Sequence, residues 1–211
     1  MGLRADGSLV LQTPLSMSRV ADAERPIDAD VVRLVRLTLG GDTAAFEHIV
    51  LRYETRVMTV AARLLGTRDD ARDAAQEVFL RAFKYLHRLD LRKPMEPWLL
   101  RITVNVCRDA ARTRNRRQTT FVGGGDYDAI DESPDQHARL TQQQERILLQ
   151  QALDELPEKE RLAIVLRDVE GLPTCEVAAI LHSSETTVRS QISRGRVRLK
   201  DAIDRLTGGQ S

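Results

Sequence analysis

The segment near the end of the chain carries side chains suited to contacting DNA. Residues 186–200 contain five basic side chains and no acidic one. Short hydroxyl side chains precede most of the arginines, a pattern in which the front of a helix reaches base edges and its flanks contact phosphates. The candidate contacts are Thr186, Thr187, Arg189, Ser190, Ser193, Arg194 and Arg198. A solvated basic face is the alternative, but the short helix and tight turn that come before this segment favour DNA binding.

A second basic segment lies in the middle of the chain. Residues 101–117 hold six arginines and one aspartate, a local net charge of +5. Polar side chains recur there at steps of four, three and four, which places them on one face of a helix. This polar stripe consists of Arg101, Asn105, Arg108 and Arg112. Apolar residues take the opposite face, so the segment is predicted to be an amphipathic helix.

An acidic group precedes both basic segments. Asp70, Asp73 and Glu77 are three and four residues apart and therefore share a helix face. One interpretation is a solvated helix start, where acids suit the helix dipole. A second is a magnesium site, since residues 69–73 fit the DDxxD pattern of all-α isoprenoid synthases. A third is a docking face for a protein. The magnesium interpretation is disfavoured because it needs further oxygen ligands on facing helices.

The elements that must position these side chains are all helices. Apolar residues from Phe46 to Leu64 recur at steps of three and four, and Gly66 ends that helix. Thr67 caps the next helix, with Asp70 three residues on in the manner of a capping box. Ser184 is predicted to cap the final helix, which reaches about Arg205. No segment indicates a strand, so the predicted fold class is all-α.

Composition divides the chain into two small helical domains. Residues 121–136 contain five acidic side chains, no Lys or Arg, and a run of three glycines. Such a segment buries too little apolar area to become ordered. We predict a flexible acidic linker at 118–138, joining a domain at 28–117 to a helix-turn-helix domain at 139–206. Residues 1–27 are predicted to be a disordered leader, with Met1 and Met17 both candidate starts, and 207–211 a tail.

Charge and cysteine content exclude several classes of protein. The formal net charge is +1, so any nucleic acid must be held by local patches and not by a global field. No stretch approaches the length of a membrane span, and membrane insertion is not expected. Cys107 and Cys175 are far apart, which argues against a disulfide framework or a Cys-rich zinc site. We expect a cytoplasmic protein without metal or cofactor.

Four segments, in order along the chain, resemble bacterial RNA polymerase sigma factors. Residues 70–79, DARDAAQEVF, resemble the DAxDxxQEVF signature of that family, and residues 97–105, PWLLRITVN, resemble its WLxRIxxN motif. Residues 153–161, LDELPEKER, resemble the LPxxxR opening of the sigma-4 domain, and residues 177–196 resemble its helix-turn-helix. The short acidic linker, with no sigma-3 domain, is typical of the extracytoplasmic-function subgroup. The resemblance covers about residues 40–205.

The resemblance implies a role for each group of residues in transcription initiation. The docking face for the clamp helices of the polymerase β′ subunit would be Asp70, Asp73, Gln76, Glu77 and Phe79. The −10 element would be opened and read by Trp98, Arg101, Asn105, Arg108 and Arg112. In that role Asn105 contacts a flipped base and the arginines hold the backbone. The final helix would read the −35 duplex, and its domain would touch the β flap. The family also implies an anti-sigma partner and no catalytic residue.

Two departures and two alternatives accompany this hypothesis. His182 stands where the turn usually has glycine, and Met95 lies in a proline-containing loop where an aromatic residue is common. One alternative is a stand-alone helix-turn-helix regulator, which should dimerise on a palindromic duplex. The other is the magnesium-dependent helical enzyme, whose turnover of an allylic diphosphate should require Asp70.

Overall fold

The structure is a computed structural model that describes the backbone of residues 27–118 and 136–208, and the side chains of 27–114 and 144–208. Every regular element in these ranges is helical. The first range contains α1 (Ala29–Leu39), α2 (Thr43–Leu65), α3 (Arg68–Tyr85), a 3₁₀ turn (Leu86–Arg88) and α4 (Met95–Gln118). The second contains α5 (Gln136–Asp154), α6 (Glu158–Ile164), a π-helical segment (Val165–Val169), α7 (Thr174–Leu181) and α8 (Glu185–Leu206). The all-α prediction is confirmed.

The helical region that begins near Asp30 is divided into two helices. Asp28 and Asp42 each cap a helix by accepting backbone N–H groups of the first turn. Between them, Gly41 takes a φ of 103°, a conformation that glycine adopts without steric cost. The division gives α1 its own direction, so that Val31 and Val35 are buried against α2 and the 3₁₀ turn.

Local signals placed the start of α3 correctly. Gly66 ends α2 in the left-handed conformation, with a φ of 81°. Thr67 Oγ1 accepts the N–H of Asp70 and donates to Asp70 Oδ2, at 3.3 and 2.8 Å. Arg114 reinforces this corner by donating to the carbonyl of Leu65 and to Asp70 Oδ2. Thr67 is thus confirmed as the cap of α3, with Asp70 bonded to its hydroxyl, and the corner fixes the direction of the acidic face on α3.

The proline-containing segment before α4 interrupts the helix less than its composition indicates. α4 begins at Met95, so Pro97 lies inside its first turn. Proline is tolerated there because the first N–H groups of a helix have no intrahelical acceptor. Met95 is buried, and Trp98 packs between two apolar clusters. The loop therefore ends close to Pro94.

The helix-turn-helix forms from α7 and α8. Ser184 Oγ accepts the N–H of Thr187 at 3.1 Å, which confirms the predicted cap of α8. His182 closes α7 in the left-handed conformation, with a φ of 51°, where a glycine was expected from the family. The N–H of Ser183 bonds the carbonyl of Ala178 at 2.9 Å, so the turn keeps a helix-closing hydrogen bond despite the histidine.

The two groups of helices pack on each other through a continuous apolar cluster. That cluster includes Val57, Leu64 and Val104 from the first group and Leu153, Leu166 and Val177 from the second. α4 contacts α7, and α2 contacts the π-helical segment. The predicted linker lies mostly outside the described residues, although α5 begins at Gln136 within its predicted range. Within the described helices, none combines the length and the apolarity needed to cross a membrane.

Candidate nucleic-acid interface

The exposed face of α8 carries all seven candidate contacts. Val188 and Ile192 are buried beneath it, while Leu199 is half-buried, so one side of the helix is committed to packing. The opposite side presents a set of exposed hydroxyl and guanidinium groups: Thr186, Thr187, Arg189, Ser190, Ser193, Arg194 and Arg198. This arrangement fits a helix whose front and flanks can enter a groove.

Acidic side chains beneath α8 hold two of its arginines in place. Arg196 forms a bidentate pair with Asp168, with distances of 2.8 and 2.6 Å, and this hydrogen bonding raises the pKa of Arg196. Arg198 Nε lies 3.1 Å from Glu160 Oε2, whose side chain is only 9% exposed. A planar guanidinium held at one edge keeps its other N–H groups free to donate outward. Arg196 was not among the predicted contacts, although its position in the basic run of 186–200 could have indicated it.

The polar stripe of α4 is only partly exposed. Arg101, Asn105 and Arg112 are exposed on one face, as the spacing predicted. Arg108 is different, because its side chain is 22% exposed and its Nε lies 3.0 Å from Glu158 Oε1 in the other group of helices. Trp98, predicted to contact the −10 element, is half-buried against both apolar clusters.

The acidic face of α3 contains free and engaged carboxylates. Asp73 and Gln76 are exposed. Asp70 is used by the helix cap and by Arg114, and Glu77 pairs with Arg81 at 2.6 Å. Arg81 also reaches Asp109 of α4 at 3.2 Å, and its hydrogen bond to Glu77 raises the pKa of Arg81. Two of the three aligned acids therefore contribute to the fold as well as to the face.

An apolar groove lies beside this acidic face. Phe79, a predicted docking residue, is buried at its base, and Leu80 and Phe83 are 67% and 47% exposed at its edge. Phe46 of α2 packs edge-on against Phe83, with ring centroids 5.0 Å apart. The structure therefore places an apolar groove with aromatic side chains beside the exposed Asp73 and Gln76 on one surface.

The cysteines and the acidic side chains of the described ranges form neither a disulfide nor a metal-binding cluster. No group of three or more His, Cys, Asp or Glu side chains there is arranged to hold a metal ion. Cys107 is buried, and burial raises the pKa of its thiol to about 12. Cys175 is exposed, and the two cysteines are both unpaired.

The two groups of helices match two family models. Residues 49–117 match the model described as Sigma-70 region 2, and residues 137–199 match Sigma-70, region 4. The order of the two regions, on a helical fold that ends in a helix-turn-helix, defines a transcription factor of the sigma-70 class.

Relatives specify the subgroup. The chain is 38% identical over 172 residues to the ECF RNA polymerase sigma factor SigE of Mycolicibacterium smegmatis, covering 77% of this chain and 64% of that protein. It is 31% identical over 181 residues to the ECF RNA polymerase sigma-E factor of Escherichia coli (strain K12), covering 81% of this chain and 91% of that protein. The chain belongs to the extracytoplasmic-function (ECF) group of the sigma-70 family.

Two solved structures have the same fold. CnrH, in complex with the cytosolic domain of CnrY, is 29% identical with a TM-score of 0.61, covering 84% of this chain and 98% of that one. The sigma factor RpoE of Bartonella quintana, in complex with the anti-sigma factor NepR, is 25% identical with a TM-score of 0.61, covering 75% and 96%.

Proposed function

We propose that the protein is an alternative sigma factor that binds core RNA polymerase and directs it to particular promoters. The observation that carries this proposal is the pairing of a region 2 match with a region 4 match in the order of the family. The proposed role of the protein is promoter recognition, so we propose a specificity subunit without catalytic residues. Region 2 is proposed to span 28–117 and region 4 to span 139–206.

The acidic face of α3 is proposed to dock on the clamp helices of the β′ subunit. Its residues are Asp70, Asp73, Gln76, Glu77 and Phe79. Asp73 and Gln76 are exposed at the centre of this face, and the groove at Phe79 adds apolar area beside them. The helix-turn-helix domain is proposed to contact the β flap.

Promoter DNA is proposed to contact both basic segments. α4 would capture the opened −10 strand, with Asn105 on a base, Arg101, Arg108 and Arg112 on phosphates, and Trp98 as a stacking platform. The exposed face of α8 would read the −35 duplex. An anti-sigma factor is proposed to occupy these surfaces in the resting cell, since Bartonella quintana RpoE was solved with one.

Co-elution of the purified protein with core polymerase tests the proposal directly. A stoichiometric complex is expected on a sizing column, with little binding of the protein alone to duplex DNA. A dimer that binds duplex DNA tightly and ignores core polymerase would instead support the stand-alone regulator.

Two charge reversals test the docking face. Asp73→Lys and Glu77→Lys should each weaken core binding, because they place a cation where the face is acidic. Glu47→Lys is the matched control, since Glu47 is exposed on α2 and undergoes the same charge change. Equal weakening by all three substitutions would show that net charge, and not this face, controls binding.

Asn105→Ala tests the base contact. The loss of a hydrogen bond to a base should slow promoter opening by about tenfold, since such contacts contribute about 1–3 kcal/mol. Binding to core polymerase should remain normal because Asn105 lies outside the docking face. Unchanged opening, followed with a fluorescent base in the −10 strand, would remove Asn105 from the recognition site.

A further inference from the structure

Two ion pairs cross the interface between the two groups of helices in the same sense. On the region 4 side, Glu158 and Glu170 contribute carboxylates. On the region 2 side they meet guanidinium groups, with Arg108 Nε 3.0 Å from Glu158 Oε1 and Arg56 Nε 3.0 Å from Glu170 Oε2. Arg56 also donates to the carbonyl of Glu170 at 2.7 Å. Region 4 thus presents acidic groups to the domain proposed to hold a DNA strand.

Arg108 is the position at which this interface and the polar stripe of α4 coincide. The spacing of the stripe places Arg108 between Asn105 and Arg112. A single DNA strand that follows this face of α4 must therefore pass over Arg108. In the structure, the guanidinium is occupied by Glu158 and the side chain is 22% exposed. The carboxylate at 3.0 Å already offsets the charge of the guanidinium, so a phosphate gains less attraction to Arg108 than to an unpaired arginine, although the other N–H groups can still donate.

Rigid elements hold Glu158 over the stripe. It is the first residue of α6, directly after Pro157, and a carboxylate is favoured at a helix start. Leu156 and Leu162 on either side are 4% and 2% exposed, which fixes the backbone that carries it. The second contact anchors the arrangement, because Glu170 is 6% exposed and Arg56 also pairs with Glu96 in the first turn of α4.

We propose that Glu158 imitates a nucleic-acid phosphate, masks Arg108 in the free protein, and must be displaced when single-stranded promoter DNA binds α4. This inference rests on the proposed function of α4. The displacement is feasible because Glu158 remains 56% exposed, so its pair with Arg108 is screened by water and salt. The mask therefore lowers affinity for DNA without preventing binding.

Anisotropy of a labelled oligothymidine at low salt measures the mask in the full-length protein. Glu158→Gln should bind the oligonucleotide about three- to tenfold more tightly, because Arg108 becomes available to a phosphate. The plot of log affinity against log salt should steepen by about 0.7, the value for one additional phosphate contact on a single strand. Glu158→Ala is a second variant, should the glutamine protein fold poorly.

Two controls separate a mask from a general charge effect. Glu155→Gln removes the same charge from an exposed residue that pairs with Arg205, away from α4, and should leave affinity unchanged within about twofold. Arg108→Gln combined with Glu158→Gln should lose the gain, since no guanidinium is released. A similar gain for Glu155→Gln and Glu158→Gln, or a gain that survives the loss of Arg108, would overturn the proposal.

Core binding by the same proteins separates this proposal from the proposed function. If the unmodified protein co-elutes with core polymerase and Glu158→Gln binds oligothymidine no more tightly, the mask alone is wrong. If Glu158→Gln gains affinity but the unmodified protein does not bind core, the mask is retained as a contact between domains and the sigma function is wrong.

Discussion

Gly195 marks the closest approach of α8 to the helix beneath it. A Cβ atom added at this position would lie 2.8 Å from Cγ1 and 3.3 Å from Cδ1 of Ile164, and 3.4 Å from Cβ of Glu160. Ile164 is 2% exposed within the apolar cluster, so its side chain cannot move aside without disturbing core packing. Gly195→Ala should therefore push α8 outward, or force Ile164 out of its preferred rotamer.

The expected magnitude follows from two opposed terms. Helix propensity alone favours alanine over glycine by about 1 kcal/mol. Overpacking of a dense core costs about 1–3 kcal/mol. Because both carbons of Ile164 belong to a buried side chain, we expect the second term to dominate, with a net loss of up to about 2 kcal/mol. Because one apolar cluster joins both groups of helices, the size of the whole chain applies, and the fall in Tm should be up to about 8 °C.

Thermal and urea denaturation of three further proteins complete the test. Ser193→Ala on the exposed face of α8 is the matched control, and it should leave stability unchanged or slightly higher. Ile164→Ala removes both contacting carbons, so the double variant with Gly195→Ala should be less destabilised than the sum of the single changes. A rise in Tm for Gly195→Ala would refute the close packing, because helix propensity would then act alone.

Three further predictions concern the turn and the buried thiol. Ser184→Ala removes the acceptor of the Thr187 N–H and should lower stability by about 1 kcal/mol in urea titrations, whereas Ser183→Ala should change it little. His182→Gly removes the steric cost of a left-handed backbone at a residue with a Cβ, which should stabilise the folded state by about 1–2 kcal/mol. The greater flexibility of glycine in the unfolded chain offsets part of this stabilisation. A fall in Tm would contradict this reasoning. Burial raises the pKa of Cys107 to about 12 from a reference value of 9.0, so the unfolded chain loses the thiol proton first. The free energy of unfolding should therefore fall as pH rises from 9 towards 12. The fall should be steeper than in Cys107→Ala by up to about 1.4 kcal/mol per pH unit. In the folded protein, iodoacetamide should label Cys175 but not Cys107.

The parts of the fold that could be predicted are those that depend on nearby residues. Thr67, Ser184 and Gly66 act within one helical turn, so their side chains alone indicate where helices begin and end. The polar stripe of α4 followed from its spacing for the same reason. Gly41 and the capping residue Asp42 carried an equally local signal for the break between α1 and α2, which was not predicted.

The packing between the two domains was not predictable in this way. Arg56 and Glu170 are 114 residues apart, and neither lies in the four segments whose sequence resembles the family. Arg108 was predicted to be exposed with its neighbours in the stripe, and it is half-buried because α6 reaches it from the other domain. A helical period identifies which residues share a face, whereas the partner of that face is set by tertiary packing.

The contacts between the two domains change the explanation of how the acidic residues offset the basic patches. The sequence suggests that an acidic linker offsets the basic patches, but Glu158 and Glu170 are folded acidic groups already placed against arginines of region 2. A flexible linker lowers DNA affinity through an averaged field that salt screens over about 10 Å. A carboxylate in direct contact acts on one arginine, and its contact depends on the packing that places α6 beside α4. The proposed exchange of partners at Arg108 would therefore make DNA affinity depend on how the two domains are arranged, whereas a linker acting by charge alone would lower affinity in every arrangement.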